Sequence, residues 1–391
     1  MVKRTRVGPR PRSIVVATSQ RSPVLLPPEI SAIICEMVAD KRALLILCQV
    51  SSFFRCQAQR LLYRSVHLSE GGPAGLRRLK SWVNAASKHA HLAEYVHSLA
   101  LRLPPILEAS IATKLARALA QCTNLKELSV SGPKSTHGYS CFQGSMLNKT
   151  SFRLKKFVNR YFDDRLIMEF WRNQTELRIL DIKINVCALD PDSMLLPNLI
   201  AVKTNNIGDL PVGRALESIQ TYPMADILLL KQYETSLTTL NLWQQPRQRH
   251  WLQQPQELVL DTLVGLVAGT LPNLLHLGLF AETKGFEIHN SSIHKAVLER
   301  FNRLDSFTLQ LPYVANFYVG GVSQKHRSLT KSTGVFDVGR DIMTACPTLR
   351  RVAISVKVLQ VYGGVLTRSD SDGAVQEERK TWLEVRELSS F

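Results

Sequence analysis

The sequence predicts an α/β chain, with a short three-helix module followed by an irregular solenoid whose strands form a parallel sheet. Two patterns predict it. Apolar residues recur at helical spacing between positions 29 and 62, and from about residue 92 the unit Leu-x-x-Leu-x-Leu keeps returning. Composition agrees: 45% hydrophobic and 21% charged residues over 391 positions are ordinary globular usage, with room for one small module and one large domain.

Residues 1–23 read as a disordered basic tail. Six basic residues and no acidic one precede Leu26, and the longest apolar run there, residues 14–17, is too short for a signal-peptide core. Prolines at 9, 11 and 23 break any amphipathic helix of the kind a mitochondrial presequence needs. The seven cysteines are odd in number and contain no Cys-x-x-Cys pair. That argues against a disulfide framework and a zinc site, and for a reducing, cytoplasmic or nuclear location.

Over residues 29–39, Ile30, Ile33, Ile34, Met37 and Val38 fall on one face of a helix, with Pro27 and Pro28 at its entry. Residues 43–50 form a second apolar segment. Ser51 or Ser52 caps a third helix, on which Phe54, Ala58, Leu61 and Leu62 share a face. Tyr63, Val66 and Leu68 then mark a chain turning extended. Three short helices in about 40 residues bury too little apolar area to stand comfortably alone, so the bundle wants a partner surface or a following domain.

The order Leu26-Pro27-Pro28-Glu29-Ile30, Ile33-Ile34, Leu44-Leu45-Ile46-Leu47-Cys48-Gln49-Val50-Ser51, Phe53-Phe54 and Leu62-Tyr63-Arg64-Ser65-Val66-His67-Leu68 resembles the F-box of many fungal proteins. The resemblance spans 43 of 391 residues and rests on apolar positions rather than on a reactive residue. It implies binding to a Skp-type adaptor, and through it to a cullin–RING ubiquitin ligase. Leu26, Pro27, Ile30, Ile33, Ile34, Leu44, Leu47, Val50 and Phe54 would face that adaptor. Many F-boxes carry Trp near the third helix where this chain has Phe53-Phe54, and a Phe can fill the same kind of apolar pocket.

The second pattern opens at Val96-His97-Ser98-Leu99-Ala100-Leu101 and continues at 125–130, 154–157, 177–182, 199–202, 237–242, 274–279, 304–309 and 349–354. Several units share a lead-in: Thr-Asn before Leu125, Pro-Asn before Leu199 and Leu274, and Pro-Thr before Leu349. Each unit places a turn and then an alternating strand at the same point, and stacked strands make a parallel sheet. The pattern is similar to that of leucine-rich repeats. Helical stretches at 110–121, 261–269 and 293–301 would pack on the convex face. Successive first positions lie 22 to 45 residues apart, against roughly 20–29 in regular repeats of this kind. The long gaps either hide a degenerate unit, with Ile219 or Ile227 as candidates, or hold insertions.

The uncharged stretch 262–281 is long enough to span a bilayer. Leu271-Pro272-Asn273 interrupts it, so a helix over 261–269, a turn and a strand over 274–279 fit better than a membrane span. No catalytic signature is present: no Gly-rich phosphate loop, no Gly-x-Ser-x-Gly, no His-Glu-x-x-His. No catalytic residue and no cofactor are expected. His89, His91 and His97 gather near Glu94 without a fourth ligand, which describes solvated histidines better than a metal site.

The net charge of +17 includes a second basic cluster, Lys149, Arg153, Lys155, Lys156, Arg160 and Arg165, interleaved with Phe152, Phe157, Tyr161 and Phe162. Such a pattern can hold a nucleic-acid backbone and stack bases, capture an acidic or phosphorylated protein segment, or form a solvated rim. At the C-terminal side, 366–391 reads as a linker and a short segment. Within it, 367–374 contains Ser369-Asp370-Ser371-Asp372, an acidic serine context suited to phosphorylation, and 380–388 suits a short closing helix or strand.

Together these readings give a tail (1–23), an F-box (24–68), a leucine-rich-repeat-like domain (69–365) and a closing segment. The expected role is substrate recognition in an SCF-type ubiquitin ligase, with an unknown protein substrate on the repeat domain. A repeat scaffold whose first helices merely cap the core, and a basic nucleic-acid binder, remain as alternatives.

Overall fold

The structure, a computed structural model, describes residues 27–132, 144–182, 195–205, 207–210, 213–222, 227–244, 260–281, 288–311, 314–319, 327–328, 332–357, 361–369 and 375–380. The chain divides into two units, Met1–Leu62 and Tyr63–Phe391.

In the first unit, α1 (Pro28–Met37) starts with Pro at its first position, where a missing N–H costs no helical bond. Asp40 caps α2 (Lys41–Val50), its carboxylate accepting from the Arg42 and Ala43 N–H groups at 3.1 and 3.3 Å. Ser51 caps α3 (Ser52–Arg64), its hydroxyl accepting the Phe54 N–H at 3.2 Å. The buried core is small: Cys35, Leu44 and Ala58, with Val38, Leu47, Cys48, Phe54, Leu61 and Leu62 packed around them.

The second unit is mixed α/β around a 13-stranded, mostly parallel sheet. Its first nine strands follow chain order: β1 (Ser65–Leu68), β2 (Ser98–Arg102), β3 (Glu127–Ser131), β4 (Lys156–Arg160), β5 (Ile179–Ile182), β6 (Ala201–Lys203), β7 (Ser218–Thr221), β8 (Thr239–Gln244) and β9 (His276–Ala281). β10 (Ile288–Ile293) leaves for a small second sheet, and β11 (Ser306–Leu311) resumes the first. β12 (Val314–Val319) and β13 (Arg327–Ser328) complete the small sheet. β14 (Arg351–Lys357) is the last parallel strand, and β15 (Val361–Arg368) and β16 (Val375–Lys380) close the edge antiparallel.

From β3 onward the register is set by one pair of bonds that recurs at every step. Two successive N–H groups ahead of a strand donate to a single carbonyl ahead of the previous strand. Lys126 and Glu127 donate to His97, Lys155 and Lys156 to Lys126, and Arg178 and Ile179 to Lys155. The bond recurs as far as Arg350 and Arg351 on Asp305, although the sequence between steps varies from 17 to 45 residues. It aligns Leu99, Leu128, Phe157, Leu180, Val202, Ile219, Leu240, Leu277, Phe307 and Val352 in one buried row. Because strand side chains alternate, the neighbouring residues point to the other face.

The shared lead-ins have a physical role. Asn124 donates to the Glu94 carbonyl at 2.9 Å, Asn198 to Thr175 at 2.8 Å, and Thr348 to Leu304 at 2.9 Å. Each ties its turn to the turn before it.

The helices cover the buried row. α4 (Gly72–Lys88), α5 (Ala90–Glu94) and α6 (Ala109–Gln121) contribute Leu79, Val83, Leu92, Leu115 and Leu119. α7 (Ser145–Asn148) and α8 (Met168–Arg172) add Leu147, Phe170 and Trp171. α9 (Leu260–Thr270), α10 (Lys295–Leu298) and α11 (Ser332–Ala345) add Val264, Leu298, Val338 and Ile342.

The structure departs from the sequence reading at three places and decides between its alternatives at another. The strand Ser65–Leu68, read as the end of the first module, pairs with β2 and belongs to the sheet. The gap between Leu199 and Leu237 hides a strand at Ile219, whereas Ile227 begins a 3-10 turn. Ile293 ends a strand rather than starting a helix. Residues 366–368 are not linker: Leu366 is fully buried, because β15 continues the sheet through Arg368. The expected closing element at 380–388 lies almost wholly outside the described residues, as do the tail and Leu26. Residues 262–281 divide into α9 and β9, and no helix among the described residues is long and apolar enough to cross a membrane.

Candidate functional site

The small core of the first unit leaves most of its apolar surface outside. On α1 the buried positions are Ser31 and Cys35, while Ile30, Ile33 and Met37 are 43%, 52% and 80% exposed. Ile30, Ile33 and Met37 of the stripe therefore face outward, while Val38 packs against the unit's core. On α2, Leu45, Ile46 and Val50 are exposed, and Phe53 at the start of α3 is 38% exposed. Exposed apolar residues grouped in this way mark an interaction surface.

The expected adaptor-facing residues divide accordingly. Pro27, Ile30, Ile33 and Val50 are exposed, and Ile34, Leu47 and Phe54 are half-buried. Leu44 is a correction: it is buried in the unit's own core, on the inner side of α2, and has no surface to offer a partner. Met37, Leu45, Ile46 and Phe53 were not on that list. The signal for Leu45 and Ile46 was the unbroken apolar run from Ala43 to Cys48, which covers every side of a helix. A small bundle can bury only one of those sides.

The basic cluster keeps its charges and loses its aromatics. Arg160 pairs with Asp181 at 2.6 Å, Arg153 donates to the Asn173 carbonyl, and Lys149 and Lys155 are exposed. Lys156 is half-buried on the open face of β4, in register with Glu127. Phe152, Phe157, Tyr161 and Phe162 are between 0% and 6% exposed, so none presents a ring for stacking. Arg165 has no described side chain.

On the face of the sheet opposite the buried row, the described residues include an aromatic pair whose Phe280 is itself buried. Trp243 and Phe280 stack with centroids 4.7 Å apart, and the Lys203 ammonium lies 5.1 Å from the Trp243 ring centre. Gly278 makes this possible, since a Cβ there would run into both Asn241 Oδ1 and the Phe280 ring.

Among the described residues, no group of three His, Cys, Asp or Glu side chains is placed to hold a metal. His97 Nδ1 lies 2.9 Å from the Tyr95 carbonyl, while His89 and His91 are exposed. Burial pushes the Cys122 thiol up to about 12 and raises Cys35 and Cys48, the opposite of what a thiolate nucleophile needs. No family model matches the chain, and a search of the curated proteins returns no match.

Proposed function

We propose that this chain is a substrate-recognition subunit of an SCF-type ubiquitin ligase. In this reading the first unit is an F-box seated on a Skp-type adaptor, and the second unit is a leucine-rich-repeat-like solenoid that holds a protein substrate. The observation that carries the proposal is the outward apolar face of Ile30, Ile33, Met37, Leu45, Ile46, Val50 and Phe53 on a module whose own core is three buried residues. The resemblance in residues 26–68 supplies the partner for that face. The chain-ordered parallel strands, each bonded alike to the one before, support the repeat reading of the second unit.

Such a receptor performs no bond chemistry. It holds its substrate near a ubiquitin-charged enzyme, so its contribution is local concentration. The nucleic-acid alternative loses support with the burial of all four aromatics in the basic cluster.

Co-expression with a Skp-type adaptor tests the proposal. The wild-type chain should co-purify with the adaptor, and Ile33→Lys/Val50→Lys should not while keeping the wild-type circular dichroism spectrum. A well-folded wild type that fails to bind would leave a capped repeat scaffold as the account of this fold.

A further inference from the structure

Arginines gather where the sheet closes, at the end of the strands that also holds the recurring carbonyl bonds. A cleft of about 560 Å³ is lined there by Arg303, Asp305, Thr348, Arg350, Arg368 and Ser369, among others. Arg303 and Arg350 precede β11 and β14, and Arg368 ends β15. Among the described lining residues, three guanidiniums thus accompany one carboxylate.

Each arginine is held differently. Arg368 donates to the Pro347 and Met343 carbonyls at 2.6 and 3.0 Å, which ties it to the C-terminal end of α11. Arg350 Nε lies 3.5 Å from Asp305 Oδ1, with both side chains well exposed. Arg303 is exposed and has no acidic partner among the described residues. The Arg368 N–H donates to the Arg350 carbonyl at 2.7 Å, so Ser369 lies one residue beyond that bond, half-buried in the cleft wall. In sequence it is followed by Asp370, Ser371 and Asp372.

We propose that Ser369 is a phosphorylation site, and that its phosphate locks the closing hairpin to the sheet through Arg303 and Arg350. An acid-directed serine kinase would transfer the γ-phosphoryl group of ATP to Ser369 Oγ. The Oγ–P bond forms, the bond to the departing ADP oxygen breaks, and the hydroxyl proton passes to the kinase's base. The product carries a charge of about −1.5 to −2 and three strong acceptor oxygens. It thereby turns an excess of positive charge around β11, β14 and β15 into charge-assisted bonds across all three strands. This inference does not depend on the ligase reading.

Two measurements test it. Full-length protein treated with ATP and an acid-directed kinase should carry phosphate on Ser369 by mass spectrometry, and phosphate on Ser371 alone, or none, overturns the site. Separately, full-length protein with phosphoserine placed at 369 by codon suppression should exchange its amides at 366–368 about tenfold more slowly than its unmodified form. In an Arg303→Ala/Arg350→Ala background, that gain over the variant's own unmodified form should vanish. Unchanged exchange, or a gain that survives the double substitution, overturns the lock. So does a phosphopeptide of residues 364–376 that binds the unmodified cleft while phosphoserine at 369 leaves exchange unaltered, since the cleft would then serve a partner.

Discussion

Asn159 is fully buried in the sheet row that also holds Leu101, Val130 and Ile182. Its Nδ2 donates to the Phe162 carbonyl at 3.0 Å, and its Oδ1 accepts from the Tyr161 and Phe162 N–H groups at 3.3 and 2.9 Å. Asn159→Leu would match the row in polarity yet strip those backbone groups of their partner, and should cost about 2–4 kcal/mol in denaturant unfolding. Gly278→Ala should cost about 1–3 kcal/mol and alter Trp243 fluorescence, because the new methyl displaces the Phe280 ring from its stack. Burial also raises the Cys122 thiol from 9.0 to about 12 and the Tyr233 phenol from 10.0 to about 12. A raised folded pKa means stability that is fully present below the unfolded value and declines as pH climbs through the folded one. Urea midpoints should therefore be flat up to about pH 9 and fall between 9 and 12, and Cys122→Ala should make that fall shallower.

Helices and strands differ in how openly the sequence declares them. The three N-terminal helices, α6 and α9 were legible from their apolar runs and spacing, with Pro27-Pro28 and Ser51-Ser52 marking where α1 and α3 start. Most strands were legible because Leu-x-x-Leu-x-Leu returns at each, and at β3, β6 and β14 a lead-in Asn or Thr also repeats a hydrogen-bonding task. β7 was nearly silent, since Ser218-Ile219-Gln220-Thr221 keeps the pleat but offers only one large apolar residue, and the bond from Glu217 and Ser218 to Ile200 does the aligning. The small sheet of β10, β12 and β13 gave no signal that was read, because it lies off the chain-ordered stack. For α1 the spacing was read, with Ile30 and Ile33 expected to face a partner, and both are exposed. Periodicity identifies an apolar face and cannot say whether the chain itself covers it. Ile33 and Val50 are 52% and 61% exposed, so Ile33→Lys/Val50→Lys should leave the thermal midpoint nearly unchanged while removing adaptor binding.

At the scale of the whole chain, the parallel strands follow one another in sequence from β1 to β14, with only the small sheet set aside. The edge at β16 is written in charge: residues 375–380 read Val-Gln-Glu-Glu-Arg-Lys, and Glu377 bonds Arg340 of α11 at 2.6–2.8 Å. Truncation after Lys357 removes β15 and β16 and uncovers Leu366's place beside the core, along with the free rim of β14. Light scattering should then report species that grow with protein concentration, whereas the full chain should keep one mass.

The reason lies in the direction of the stack. A run of strands all pointing the same way has two unlike ends, as a filament subunit does, and the rim of one molecule's last strand is a template for the first strand of the next. Two reversals, at β14–β15 and β15–β16, cover that rim and end the sheet on β16, which runs in the same direction as β14 but carries Glu377, Glu378, Arg379 and Lys380. The antiparallel hairpin thus acts as a chain terminator for head-to-tail polymerisation.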